Sequence, residues 1–247
     1  MRLTRLIMGM PITIEIVGAT GPGLHERAFA YLESVDHRFS TYRADSEISA
    51  INAGRIAGDD VSDEMREVFA LGELTRAETV GYFDIRRPDG SLDPSGVVKG
   101  WAIRNTARLL EAAGARNFFV DAGGDVQAVG HNAEGGPWRA GIRNPFNPDG
   151  HVKTVYPRGR GIATSGTYVR GQHIYDPHHP GQPLSDVVSL TVIGKDVLEA
   201  DLFATAAFAM GPDGIRFIEE RPGLEGYQID AHGIATMSSG FEALTTP

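Results

Sequence analysis

The sequence predicts an α+β fold, and three features carry that prediction. Its 247 residues, 41% of them hydrophobic, are enough to bury a substantial core. Apolar residues recur at helical spacing in some stretches and alternate, as strands require, in others. These stretches follow one another without a regular strand–helix–strand period, and the strands are mostly linked as hairpins, which disfavours a doubly wound parallel sheet. No internal repeat, low-complexity tract or Ser/Pro-rich linker interrupts the chain. One domain over residues 1–247 is expected, or two tightly joined lobes.

Taken in order, "ITIEIV" (12–17) alternates as a half-buried strand, and "IMGMPITIEIV" as a whole reads the same way. Leu24, Phe29, Leu32 and Val35 give "LHERAFAYLESVDHRFS" (24–40) a helical repeat. Asp45 or Ser46 is placed to cap a short helix, "SEISAINAG", that stops at Gly54. "SDEMREVFALGELTRAETVG" (62–81) has a Ser/Asp start, an acidic first turn and a glycine stop. A further helix is expected over 94–115, and a strand–glycine turn–strand over 117–130. Strands follow at 138–145 and 188–194. "DVLEADLFATAAFAMG" (196–211) is a helix with an acidic start, "PDGIRFIEER" is helical, and "EGYQIDAHGIATMSS" closes the chain as a hairpin.

Composition excludes several functions. There is no cysteine, so disulfides, thiolate metal sites and cysteine nucleophiles are ruled out. The net charge is −9 and no dense Lys/Arg run exists, which argues against nucleic acid as a partner. No stretch is long and apolar enough to span a bilayer, and no signal-peptide pattern opens the chain, so a cytoplasmic protein is the expectation.

Four segments have the residue types for chemistry. In "LDPSGVVKGWA" (92–102) a helix start offers free backbone donors, with Lys99 one turn in, suited to an anion; a capped helix with a surface lysine explains the same residues. In "VDAGGDVQAVG" (120–130) two glycines permit positive φ or a close backbone approach, or simply a hairpin turn. In "EADLFATAAF" (199–208) Asp201 and Thr205 stand four apart on one helix face. A carboxylate and a hydroxyl there suit a hard cation. A small-residue core helix gains little from a carboxylate without a partner. In "IATSGTYVRGQHIYDPHHPG" (162–181), Ser165 lacks a G-x-S-x-G elbow and the histidines lack H-E-x-x-H spacing. His173 remains as a general base or a structural histidine.

Together the segments D-x-x-G-x-x-K-G, G-G-D, A-T-S-G-x-Y-x-R…H-I-x-D-P and D-x-x-x-T-A, in this order between about residue 8 and residue 211, resemble the ApbE-type family of FAD:protein FMN transferases. The resemblance implies a T-fold-like α+β architecture, antiparallel or mixed sheets with packed helices. It implies FAD as substrate, Mg²⁺ as metal, and transfer of FMN to a Thr or Ser hydroxyl of an acceptor protein with release of AMP. Carried over by position, Asp201 and Thr205 resemble the metal ligands, with the Gly96 backbone carbonyl completing that site. Met8, Tyr42, Tyr82, Phe83, Asp84, Asp93, Lys99 and Tyr175 match positions around FAD. His173 matches the histidine that activates the acceptor hydroxyl. Ser165 is then not the nucleophile, Thr164–Gly166 form a turn near the flavin, and His178 and His179 are incidental. The chain departs from the family where "FDIRRPDG" runs almost directly into "LDPSG", a shortened segment that leaves the cleft more open on that side. Two other functions fit the same residues: an FAD pyrophosphatase yielding FMN and AMP, and a flavin-binding protein without catalysis.

Overall fold

The structure, a computed structural model, describes residues 1–19, 21–166, 174–179 and 181–247. Its frame is an eight-stranded antiparallel sheet. The strands are β1 (Arg2–Ile7), β2 (Met10–Val17), β3 (Asn117–Ala122), β4 (Asp125–Val129), β7 (Gly161–Gly166), β8 (Val187–Gly194), β9 (Glu225–Asp230) and β10 (Ala235–Met237), adjacent in that order. The two strands missing from that series, β5 (Ala140–Asn144) and β6 (Asn147–Val155), form a separate ribbon inserted between β4 and β7.

Two expectations about these strands are corrected. "IMGMPITIEIV" is not one strand: Met8 and Gly9 take φ of 54° and 71° and fold it into a two-residue hairpin, β1 pairing back on β2. Thr164–Gly166 are not a turn but the end of β7, paired in register with Thr191, Leu190 and Ser189 of β8. The glycine pair does adopt positive φ, 65° at Gly123 and 105° at Gly124, joining β3 to β4.

Helices α1 (Leu24–Phe39), α2 (Glu47–Asn52), α3 (Asp63–Glu78), α4 (Ser95–Ala112), α5 (Val197–Ala209) and α6 (Gly214–Glu219) match the expected stretches. Ser46 caps α2 by accepting from Ser49 N at 3.1 Å, and Ser62 caps α3 by accepting from Met65 N at 3.3 Å. Inward residues Ile12, Ile14 and Ile16 of β2 and Phe118 and Val120 of β3 pack under Phe29 and Leu32 of α1 and Trp101 and Ile103 of α4. A second cluster joins Ala163, Leu190 and Val192 to Ala200, Ala204, Ala207 and Phe208 of α5. Being buried almost all round, α5 is alanine-rich, and that lets the sheet and α4 approach it closely.

The shortened segment before α4 is a closed turn. Arg86 bridges Leu92, Arg87 N donates to Ser91 O at 2.8 Å, and Asp93 N donates to Ile85 O at 2.7 Å. Asn52 holds it from α2, accepting from Leu92 N at 2.8 Å and donating to Leu92 O at 2.9 Å.

Candidate active site

At the crossing of α4 and α5, Lys99 faces two carboxylates that the chain order keeps far apart. Its Nζ lies 2.5 Å from Asp125 Oδ2 and 3.2 Å from Asp201 Oδ1. The carboxylate side chains are each 3% exposed and the lysine 22%, so the cation reaches inward from the open side. Each carboxylate spends its other oxygen on backbone. Asp201 Oδ2 accepts from Gly100 N at 2.9 Å, and Asp125 Oδ1 accepts from Thr164 N at 3.0 Å. The second contact has a topological cause. Strands β4 and β7 pair only at Val126↔Ile162 and Gln127↔Gly161, and beyond that point the Asp125 side chain takes over a bond the ladder no longer supplies. Burial pushes the Asp201 carboxyl up to about 7; Lys99 pulls the other way, and Asp125 adds to the upward push.

Glycine makes the crossing possible. A Cβ at Gly100 would stand 2.9 Å from both Asp201 Cβ and Leu198 Cα. A Cβ at Gly96, in the first turn of α4, would stand 3.0 Å from the ring of Phe83. One turn beyond Asp201, Thr205 Oγ1 lies 3.5 Å from Ser165 Oγ, and Thr164 Oγ1 lies 2.8 Å from Thr191 Oγ1. Of the expected set, the structure pairs Lys99 with Asp201; Thr205 follows one turn along α5, and Gly96 lies one turn before Gly100 on α4, against Phe83. It adds Asp125 and Gly100, which the sequence alone does not assign to the site, and it seats Thr164 and Ser165, expected as a turn near the flavin, beside the cluster as strand residues. The G-G-D motif is the available signal for Asp125, and the K-G pair for Gly100.

The other expected residues have their own settings. Phe83 is buried beneath Gly96 as part of the core. Tyr82 is half-buried with its ring centroid 4.4 Å from that of His178, and burial raises its hydroxyl pKa, with the charge of Asp176 adding to the rise. Asp84 accepts from Arg76 Nε at 2.9 Å and from Arg86 N at 2.8 Å. Asp93 accepts from Ser95 N at 3.1 Å at the start of α4 and pairs with Arg87. Met8 sits in the β1–β2 turn, packed against the core, at the end of the sheet where Gly123 N donates to Pro11 O. Tyr42 is 96% exposed and Tyr175 41%. His173 lies outside the described residues.

His178 has a contact that its sequence context does not suggest. Its Nε2 donates to Val80 O at 3.0 Å and its backbone N donates to Asp176 Oδ1 at 2.8 Å. Residues 174–179 are thereby docked on the turn that carries Tyr82. His179 Nδ1 pairs with Asp176 Oδ2 at 2.7 Å.

Among the described residues no three His, Cys, Asp or Glu side chains converge as a metal cage. Asp201 and Thr205, one turn apart on α5, carry the hard oxygens that could serve an oxygen-seeking cation, with Ser165 beside Thr205. The carboxylate is backbone-fixed and already faces a cation in Lys99, so the site suits positive charge.

A sequence model of the ApbE family matches residues 8–88 and 85–228, the two parts meeting at the short turn before α4. The FAD:protein FMN transferase of Escherichia coli is 36% identical over 191 residues, 72% of this chain and 54% of that protein. That of Haemophilus influenzae is 26% identical over 296 residues, 93% of this chain and 85% of that protein. The chain thus spans about half the length of the Escherichia coli relative it matches. Among solved structures, the flavin transferase ApbE of Vibrio cholerae aligns with a TM-score of 0.85 at 26% identity, over 99% of this chain and 98% of that one. The ApbE protein of Thermotoga maritima aligns with a TM-score of 0.88 at 21% identity, over 100% and 99%, a likeness of fold. No helix among the described residues is long and apolar enough to cross a membrane.

Proposed function

This chain belongs to the ApbE family, and from that premise we propose that it transfers the FMN moiety of FAD to a Thr or Ser hydroxyl of an acceptor protein, with release of AMP. The observation that carries the proposal is the buried Lys99–Asp125–Asp201 cluster at the α4–α5 crossing, with Thr205 one turn away. Asp201, Thr205 and the Gly96 carbonyl are the residues that would hold Mg²⁺. When bound, that ion neutralises charge on the pyrophosphate oxygens.

The chain's own residues do the rest. The acceptor oxygen bonds to the phosphorus on the FMN side, and the bond from that phosphorus to the bridging oxygen breaks, so AMP departs with that oxygen. His173 receives the hydroxyl proton. Lys99, held by Asp125, presents its ammonium where phosphoryl charge collects. Tyr82 and Tyr175 supply flat area for the isoalloxazine at low cost in side-chain entropy. Asp93 fixes the first turn of α4 and so the Gly96 carbonyl.

An Asp201→Ala variant tests the reading. AMP release from FAD should be lost, as it should on chelation of the wild type, while FAD still binds in a fluorescence titration. Activity that survives both treatments contradicts the metal assignment. FMN appearing free alongside AMP, with no mass added to the acceptor, would make the enzyme a pyrophosphatase.

A further inference from the structure

The carboxylate assigned above to the metal is not waiting for a charge: the chain has already supplied one. Asp125 and Asp201 each commit one oxygen to a backbone N–H, from Thr164 and Gly100, and turn the other to Lys99. The backbone bonds fix both carboxylates whether or not the lysine is present. The lysine is the movable member, a compact ammonium on a four-carbon stem entering from the exposed side. Its two contacts are unequal, 2.5 Å to Asp125 and 3.2 Å to Asp201, so it already leans toward the carboxylate that is not a proposed metal ligand.

Two like charges cannot share Asp201 Oδ1 at low cost in a site this buried. We propose that Lys99 is a resident counter-cation for Asp201, which yields that carboxylate to the divalent ion and withdraws onto Asp125, and that Asp125 is the positioning residue that receives it. The inference rests on the metal assignment made above. It joins the G-G-D and K-G motifs in one role. The metal-free protein avoids an uncompensated buried carboxylate, and the loaded protein keeps its lysine beside the phosphates.

The test is a calorimetric titration of Mg²⁺ alone into wild type, Lys99→Met, Asp125→Asn and the double variant, with melting curves in chelator as a companion. Asparagine retains an oxygen for Thr164 N, so Asp125→Asn preserves the β4–β7 link. Lys99→Met should bind Mg²⁺ more tightly than wild type, on the order of ten-fold, and melt lower in chelator. Asp125→Asn should bind more weakly by a similar factor, because the lysine then loses the carboxylate onto which it withdraws. In the Lys99→Met background the Asp125→Asn penalty should shrink, since no competitor remains. Lys99→Met binding no tighter than wild type overturns the proposal. So does an Asp125→Asn penalty of full size in the double variant. If Lys99→Met does not fold, Asp125→Asn binding as tightly as wild type overturns it. Wild type that binds no Mg²⁺ at all overturns the metal assignment itself and this inference with it, whereas binding that the substitutions leave unchanged sinks the inference alone.

Discussion

Gly100 shows how much of the site is set by a single missing methyl group. Its N–H reaches Asp201 because α4 and α5 pack with no side chain between them at that point, and the atoms a Cβ would meet include backbone. Gly100→Ala therefore forces the helices apart. It should cost about 1–3 kcal/mol, the usual scale for overpacking a tight contact, read as a lower urea midpoint. A midpoint within error of wild type would mean that the crossing is looser than its geometry. Asp121 is a half-buried carboxylate beside the same cluster. Burial raises its carboxyl pKa, the Gly124 N–H bond opposes the rise, and the charge of Asp125 adds to it. An acid raised in the folded state contributes stability in full below its unfolded pKa and loses it as pH climbs through the folded value. The stability difference between Asp121→Asn and wild type should thus move in favour of asparagine as pH rises from 4 to 7. Parallel pH profiles would contradict it.

At the scale of elements, the helices are legible in the sequence because their signals are local. Ser46, Ser62 and Asp196 accept from Ser49, Met65 and Glu199 N–H groups as caps, and the apolar spacing of α1 needs only its own residues. Strand β7 is not legible. "GIATSG" has a glycine at each end and two hydroxyls, and local chemistry favours a turn. Gly161 is there because a Cβ would overlap the start of α5, a constraint visible only once the helix is in place. The edge strand β1 is hidden for a related reason: "RLTRLI" is charged and mostly open to solvent, as exposed edges tend to be. His178 looks incidental in the sequence because its partners, Val80 O and Tyr82, lie about a hundred positions away. His178→Ala should free residues 174–179 from the α3–α4 connection. Amide exchange there and around Tyr82 should quicken with little change in the global unfolding midpoint, since the contact is at the surface. Exchange unaltered by the substitution would show that the segment is held by something else.

For the whole molecule, the fold class follows from pattern alone, and the family from the order of motifs spread over more than a hundred residues. Pattern does not supply the pairings. Nothing local says that Lys99 meets Asp125 as well as Asp201, because the antiparallel sheet, with the β5–β6 ribbon looped out between β4 and β7, is what makes them neighbours. The family resemblance points to Asp201 and Thr205, and the structure shows why a carboxylate survives in an alanine-rich core helix: it has an ammonium and a backbone N–H for partners. The most direct test of the account is to incubate the protein with FAD, Mg²⁺ and a hydroxyl-bearing acceptor, then measure released AMP and the acceptor's mass together. The expected products are AMP and an acceptor heavier by one FMN, in equal amounts. FAD recovered intact from the protein, with neither AMP nor adduct under saturating Mg²⁺, would contradict it.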